Sequence, residues 1–395
     1  MKKERYILPI IVFSQFCCTS LWFAGNAVMG SLVETFHLPE SALGHLTSVV
    51  QFGFIIGTLV FAVFTIADRF SPSKVFFISA IFAAIFNLAT IIGTNTFISL
   101  LWFRSLTGFF LAGIYPVGMK IAADYYQKGL GKSLGFLVGA LVLGTAFPHL
   151  LKGLTTEIPW QSVLIATSLI ALLGGLLILW FVGDGPYRKI SKGLDSKAIF
   201  KVFKNKSFRS AAFRYFGHMW ELYAFWAFVP IILMMYQKLH PGIVLNIPRW
   251  SFLIIALGGM ACVGGGYFSQ IYGVKRTASL ALLLSGICCL LSPFIFILDS
   301  GLLVFGFLIF WGLVVVADSP LFSTLVAENT IAETKGTALT IVNSIGFAIT
   351  IISIQLLNLL QDLINPIYIY TTLAIGPVFG LWALFKSDTT IQPVS

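Results

Sequence analysis

Three ionisable side chains, Arg214, His218 and Glu221, stand near the middle of the otherwise apolar stretch FRSAAFRYFGHMWELYAFWAFVPIILMMY, residues 208–236. A helix turns by about 100° per residue, so positions i, i+4 and i+7 share one stripe. An ionisable group in hydrocarbon costs roughly 2.5–3.5 kcal/mol on insertion scales. Three on one face therefore point to protein or water, not to lipid. One base, one acid and one group that titrates near neutrality can serve a solute or a proton. In that reading His218 and Glu221, three residues apart, touch and exchange a proton together. The inert reading is a permanent Arg214–Glu221 bridge with His218 beside it.

The rest of the chain must enclose that stripe. Of 395 residues, 58% are hydrophobic and 10% charged, against about 25% charged in soluble domains. The chain is therefore a polytopic membrane protein, with short loops and no sizeable soluble domain. Twelve apolar spans can be drawn, at about 20 residues each: 7–34, 42–66, 75–94, 97–121, 133–154, 161–183, 208–236, 250–271, 276–298, 301–326, 337–361 and 366–386. The first is too long for a signal-peptide core and is expected to be retained.

Charge orients them. With both termini inside, Lys2, Lys3, Arg5, Arg69, Lys74, Lys128, Lys132, Lys275, Arg276, Lys335 and Lys386 all fall on the cytoplasmic side. So do the eight basic residues from Arg188 to Arg209. Outside, Lys152, Lys238 and Arg249 stand beside Glu34, Glu40, Glu157, Asp299 and Asp362. That is the positive-inside distribution, and it accounts for the net charge of +10 without nucleic acid, for which no recognition module is present. Five cysteines, Cys17, Cys18, Cys262, Cys288 and Cys289, lie in apolar segments and read as small packing residues.

The segment 184–207 separates a first half, 1–183, from a second, 208–395. Ile199, Phe200 and Phe203 alternate with lysines there, a pattern suited to a helix lying on the anionic inner leaflet. Glycines such as Gly135, Gly139, Gly258 and Gly259 read as close helix contacts. No Walker loop, Rossmann fingerprint, metalloprotease helix or nucleophile elbow occurs in a suitable context, so neither an enzyme nor a cofactor is expected.

Several loops share a pattern. Asp68-Arg69-Phe70-Ser71-Pro72-Ser73-Lys74 follows the second span. Gly266-Tyr-Phe-Ser-Gln270-Ile-Tyr-Gly273-Val-Lys275-Arg276 holds the matching place in the second half. Arg104-x-x-x-Gly108 with Gly113 lies on the fourth span, and Gly135-x-x-x-Gly139, Gly144 and Pro148 on the fifth. Together with two six-span halves and a basic linker, this resembles the major facilitator superfamily. Phe64 and Ser71 replace two glycines of that family's Gly-x-x-x-Asp-Arg-x-Gly-Arg-Arg loop, and Gln270 and Ile271 replace its acid and first arginine in the second copy.

The resemblance implies an all-α fold of twelve transmembrane helices in two pseudo-symmetric halves. The first, fourth, seventh and tenth spans would line a cavity opened to each side in turn. On the first, Gln15, Thr19, Trp22 and Asn26 share a face; on the fourth, Arg104, Gly108, Tyr115 and Gly118 do. The tenth carries Asp318-Ser319-Pro320. Substrate contacts are expected from Gln15, Thr19, Trp22, Asn26, Arg104, Tyr115, Arg214, Trp220 and Tyr223, with Trp226 shaping the pocket. Asn26 is the expected protein partner of Arg104. Proton exchange is assigned to His218, Glu221 and Asp318. The gate is assigned to Asp68 and Arg69, facing Gln270 and Lys275. Lys120 reads as a snorkelling or loop-bonded cation, and His45 and His149 as wetted residues near outer helix ends.

The function this implies is secondary active transport of a small polar, anionic solute across the inner membrane by a monomer, coupled to a proton or another ion. The rival is proton-coupled export of lipophilic or cationic compounds, with Glu221 and Asp318 as the acids.

Overall fold

The computed structural model describes residues 4–39, 41–126, 130–154, 159–188, 202–330 and 335–388. These form helices and no strand. In chain order they are α1 (Glu4–Thr19), α2 (Ala24–Ala27), α3 (Met29–Phe36), α4 (Ala42–Val63), α5 (Ile66–Arg69), α6 (Pro72–Ala89), α7 (Phe97–Leu111), α8 (Tyr115–Tyr125), α9 (Leu130–Leu154) and α10 (Gln161–Leu177). There follow α11 (Lys206–Leu239), α12 (Ile247–Tyr272), α13 (Val274–Leu291), α14 (Gly301–Ala317), α15 (Ser319–Glu328), α16 (Lys335–Leu363) and α17 (Ile375–Asp388). Among the described residues, ten helical segments are long and apolar enough to cross a membrane, and Tyr6–Thr19 and Ile369–Ala383 are shorter apolar helices. Phe52, Ile78, Trp102, Leu169, Trp180 and Leu290 cover outward faces with apolar surface, as lipid requires. The amphipathic linker expected at 184–207 falls at 189–201 outside the described residues.

Polar caps start several helices. The Asn205 side chain accepts from the Ser207 and Phe208 amides at 2.9 and 3.3 Å, that of Asn246 from Arg249 at 3.1 Å, and that of Thr96 from Ser99 at 3.3 Å. Each satisfies backbone donors that a helix start leaves open.

Three spans expected to be continuous are broken. The first is interrupted between Thr19 and Ala24, the fourth between Leu111 and Tyr115, and the tenth at Asp318. Pro116 and Pro320 sit in the first turns of α8 and α15, where proline fits a start but prevents the preceding turn from continuing. The first break has no proline; its carbonyls are taken up by another side chain, described below.

The helices pack through close backbone approaches. In a membrane no water is released between apolar helices, so small residues at the seam supply the contact. A Cβ added at Gly108 of α7 would run into the Val50 carbonyl of α4, and one at Gly53 into that of Ser105. Gly139 of α9 and Gly259 of α12 face each other, with an added Cβ at 3.3 and 3.2 Å from the partner's carbonyl oxygen. The seams α9–α12 and α4–α16 join elements before residue 183 to elements after residue 208. Both carry hydrogen bonds at the ends expected outside. Gln355 donates to Ser48 at 2.8 Å and Asn358 to the Ser41 carbonyl at 3.3 Å. Arg249 and Asn246 donate to the Gly153 carbonyl at 2.8 and 3.3 Å.

Gly108→Ala should therefore lower the thermal unfolding midpoint in detergent, since forcing a methyl into a packed seam costs about 1–3 kcal/mol. Gly135→Ala, where an added Cβ meets nothing within 4 Å, should leave the midpoint unchanged. Equal behaviour of the two variants would overturn this account of the seam.

Candidate functional site

Arg104 is buried on α7, and both terminal nitrogens of its guanidinium are engaged within the bundle. Nη1 donates to the Leu21 carbonyl at 3.2 Å and to Asn87 Oδ1 at 3.1 Å; Nη2 donates to the Trp22 carbonyl at 2.6 Å. Those carbonyls belong to the break after α1, where the helix leaves acceptors unpaired. Asn87 is held in turn by donation to Ser168 Oγ at 2.9 Å and the Leu164 carbonyl at 3.2 Å. The expected partner Asn26 is elsewhere: it donates to Thr47 Oγ1 at 2.7 Å.

The break turns Trp22 into an aromatic cluster. Its ring lies 4.8 Å from Phe54, 5.8 Å from Tyr223 and 5.7 Å from Phe347, the last stacked at 24°. Tyr223 also meets Phe347 and Trp226, each at 5.2 Å. Four elements thus converge here: the first break, α4, α11 and α16. Trp22 and Trp226 are each 1% exposed.

The charged stripe on α11 divides among different neighbours. His218 Nδ1 lies 2.8 Å from Asp318 Oδ1, and both side chains are 1% exposed. Asp318 occupies the break between α14 and α15, while Tyr215 and Phe322 lie against the imidazole at 6.2 and 5.9 Å. Glu221 does not touch His218. Its carboxylate accepts from Trp311 Nε1 at 2.6 Å and from Ser285 Oγ at 2.8 Å, between α13 and α14. Arg214 donates to Ser210 at 2.9 Å. The helical arithmetic explains the split: positions 218 and 221 differ by about 60° around the axis, enough for each to face a different helix.

Other expected contacts are distributed as follows. Gln15 is fully buried, with Oε1 pressed towards Gly118 on α8. Thr19 bonds back to the Gln15 carbonyl at 2.8 Å and packs on Gly144. Tyr115 opens α8 half-buried. Trp220 faces the end of the chain, donating to the Thr372 carbonyl at 3.1 Å. His149, expected to be wetted, is 2% exposed; it lies on α9 next to Pro148, inside the packed bundle. A surface groove lined by Tyr6, Pro9, Phe13 and Phe181 touches none of the charged groups.

At the end expected inside, Lys120 bridges Asp68 at 3.0 Å and Asp124 at 3.3 Å. Arg188 pairs with Asp184 at 2.8 Å and donates to the Asp68 and Phe70 carbonyls, both at 2.8 Å. Ser71 donates to Asp184 at 2.6 Å. Arg69 and Gln270 are exposed, and Lys275 is half-buried. The bonds of Asp68 stay among elements before residue 189, on α8 and the segment after α10.

Residues missed in the sequence include Asn87, Ser285 and Trp311. An amide in the middle of an apolar span was the available signal for Asn87. Nothing in sequence spacing ties Ser285 or Trp311 to Glu221.

The Major Facilitator Superfamily family model matches residues 11–354. No curated protein sequence matches the chain. Among solved structures, a bacterial homologue of the human lysosomal transporter Spinster, inward-facing and occupied, aligns with TM-score 0.70 at 16% identity over 100% of both chains. The human organic anion transporter MFSD10 aligns at 0.74 and 15% identity, covering 96% of this chain and 99% of that one. A point mutant of the nucleoside transporter NupG gives 0.72 and 14%, covering 98% and 100%.

Arg104→Lys keeps the charge and loses the planar fork. A single ammonium cannot reach two carbonyls and Asn87 in the same geometry, and hydrogen bonds to charged groups contribute about 1.5–3 kcal/mol each. The variant should unfold at a clearly lower temperature and release the break at 20–23, read as faster hydrogen exchange at Leu21 to Ala24. Exchange unchanged from wild type would count against this role.

Proposed function

The chain belongs to the major facilitator superfamily of transporters, and from that premise we propose that it is a secondary active transporter that couples a small polar solute to a proton through the His218–Asp318 pair. The observation that carries this reading is the 2.8 Å contact between a buried imidazole and a buried carboxylate at the break of the tenth span. Two ionisable groups removed from water are expensive unless they share or exchange a proton. Ionisable groups inside a membrane protein mark ion and substrate pathways. Asp318 sits where a helix is interrupted, so a small rotation of α14 against α15 changes its distance from His218.

Two six-helix halves, a total of twelve spans and cytoplasmic termini in an inner membrane belong to the same proposal. It is supported by the seams α4–α16 and α9–α12 and by the basic residues on one side. In that frame the hydrogen bonds of Gln355, Asn358 and Arg249 close the outer side. Asp68 and Arg69 would meet Gln270 and Lys275 only when the inner side closes. The present bonds of Asp68 with Lys120, and of its backbone with Arg188, would hold the loop ready within one half.

Glu221 has a positioning role in this reading, fixing α11 against α13 and α14. An anionic solute was expected to rest on Arg104 and Arg214, and the first break and Asn87 occupy Arg104; the relatives named for organic anions and for nucleosides bracket charged and uncharged cargo. Export of lipophilic cations would use the same pair as the acid.

The test is pH-dependent uptake in proteoliposomes. Asp318→Asn and His218→Gln should each flatten the pH dependence and lower proton-driven uptake at least about tenfold, equivalent to 1.4 kcal/mol. Glu221→Gln should keep the pH profile, because a glutamine can still accept from Trp311 and donate to Ser285 Oγ, which also bonds Leu282. A flat profile in Glu221→Gln with normal profiles in the other two would move the proton site to Glu221.

A further inference from the structure

This inference rests on the transport reading and concerns the cargo. We propose that the centre of the bundle binds a planar, uncharged solute carrying hydrogen-bond donors and acceptors, held by the aromatic cluster around Trp22 and oriented by two indole N–H groups and the Gln51 amide.

The first observation is a set of buried polar atoms with no partner among the described residues. Nε1 of Trp22, Nε1 of Trp226 and both amide atoms of Gln51 and of Gln15 are in this state. All four side chains are at most 1% exposed. Buried donors and acceptors are normally satisfied, and leaving them bare is costly. Three of them, Trp22, Trp226 and Gln51, are gathered at one place and need an explanation that isolated ones do not. They are gathered: Trp22 and Trp226 both touch Tyr223, at 5.8 and 5.2 Å, and Trp22 touches Phe54 at 4.8 Å. Gln51 is one turn from Phe54 on α4, while Gln15 stands on α1 against Gly118 of α8.

The second observation is where the charges went. Arg104 is spent on Leu21, Trp22 and Asn87, Glu221 on Trp311 and Ser285, and His218 and Asp318 on each other. Arg214 lies nine residues before Tyr223, about 13 Å along the axis of α11, and bonds Ser210. The nearest of these charges to the ring cluster is Arg104, and its terminal nitrogens are already bonded to Leu21, Trp22 and Asn87. A carboxylate placed there would lose its hydration and find those donors engaged. A flat uncharged molecule keeps its stacking surface and meets both donors and acceptors. Indoles donate only, while a glutamine amide does both, so the set demands at least two acceptors from the solute.

The third is the character of the surface. The Trp22 and Phe347 rings lie against each other, stacked at 24° with centroids 5.7 Å apart, so a solute stacks beside the cluster or parts these rings. Aromatic faces favour a flat solute, and a bulky saturated one gains little from them.

The experiment measures binding to the purified full-length protein in detergent, by thermal shift and tryptophan fluorescence, which needs no gradient. Nicotinamide, uracil, adenine and caffeine serve as planar uncharged probes, benzoate as a planar anion and glucose as a saturated neutral solute. At least one planar uncharged probe should bind saturably, and benzoate and glucose should not. Trp22→Phe keeps a ring and removes the N–H; Gln51→Leu keeps volume and removes the amide. Each should weaken that probe at least about tenfold; if either fails to fold, Trp226→Phe supplies the same comparison. Preferred binding of benzoate, failure of all four heterocycles, or affinities indifferent to these variants would overturn the proposal. Heterocycle binding together with pH-dependent uptake that survives Asp318→Asn would instead sink the proton pathway and leave the cargo class standing.

Discussion

The guanidinium of Arg104 holds open a helix that would otherwise run straight. An apolar stretch in lipid has every reason to remain helical, because unpaired carbonyls there cost several kcal/mol each. The first span is interrupted regardless, and the acceptors it exposes at Leu21 and Trp22 are met by Nη1 and Nη2. Gly25 lets the next turn approach, since a Cβ there would stand 3.2 Å from Arg104 Nε. The consequence is not local. Without the break, Trp22 would continue the stripe of Gln15 and Thr19 along a straight helix. With it, the indole reaches Phe54, Phe347 and Tyr223, side chains that reach the centre from three other helices.

The remaining intramembrane charges obey the same constraint by different means. Low dielectric makes an unmatched ion expensive and a matched one strongly held. Glu221 is matched by two neutral donors and so ties α11 to α13 and α14. His218 and Asp318 are matched by each other across a helix break, an arrangement that can change when the break bends. A carboxylate surrounded by fixed donors is suited to holding position; one facing a single titratable partner is suited to switching. The two acids thereby stand in different surroundings although both are buried to the same degree.

Much of this was legible in the sequence. The apolar runs gave the helices nearly to their ends, and Arg104, Arg214, His218, Glu221 and Asp318 were recognisable because charge in an apolar run stands out. The partners were not legible. His218 and Glu221 are near neighbours on one helix, and sequence spacing can see only that relation. The contacts to Asp318, Trp311 and Ser285 span 64 to 100 residues of chain and depend on which face each helix presents. The first break was hidden for a similar reason. No proline marks it, and its cause is a side chain 82 residues away. Breaks at Pro116 and Pro320 were accessible in principle, since the residue before a proline resists the α conformation.

The polar contacts between early and late elements are unevenly placed, and this bears on how the molecule would move. At the ends expected outside, hydrogen bonds cross the seams: Gln355 to Ser48, Asn358 to Ser41, and Arg249 with Asn246 to Gly153. At the other end Lys120 and Arg188 gather Asp68, Asp124 and Asp184 within the first part of the chain. These seam-crossing bonds are few and mostly neutral, the neutral ones each contributing about 0.5–1.5 kcal/mol. The glycine contact between Gly139 and Gly259 lies between the two ends and needs no side chain to be maintained.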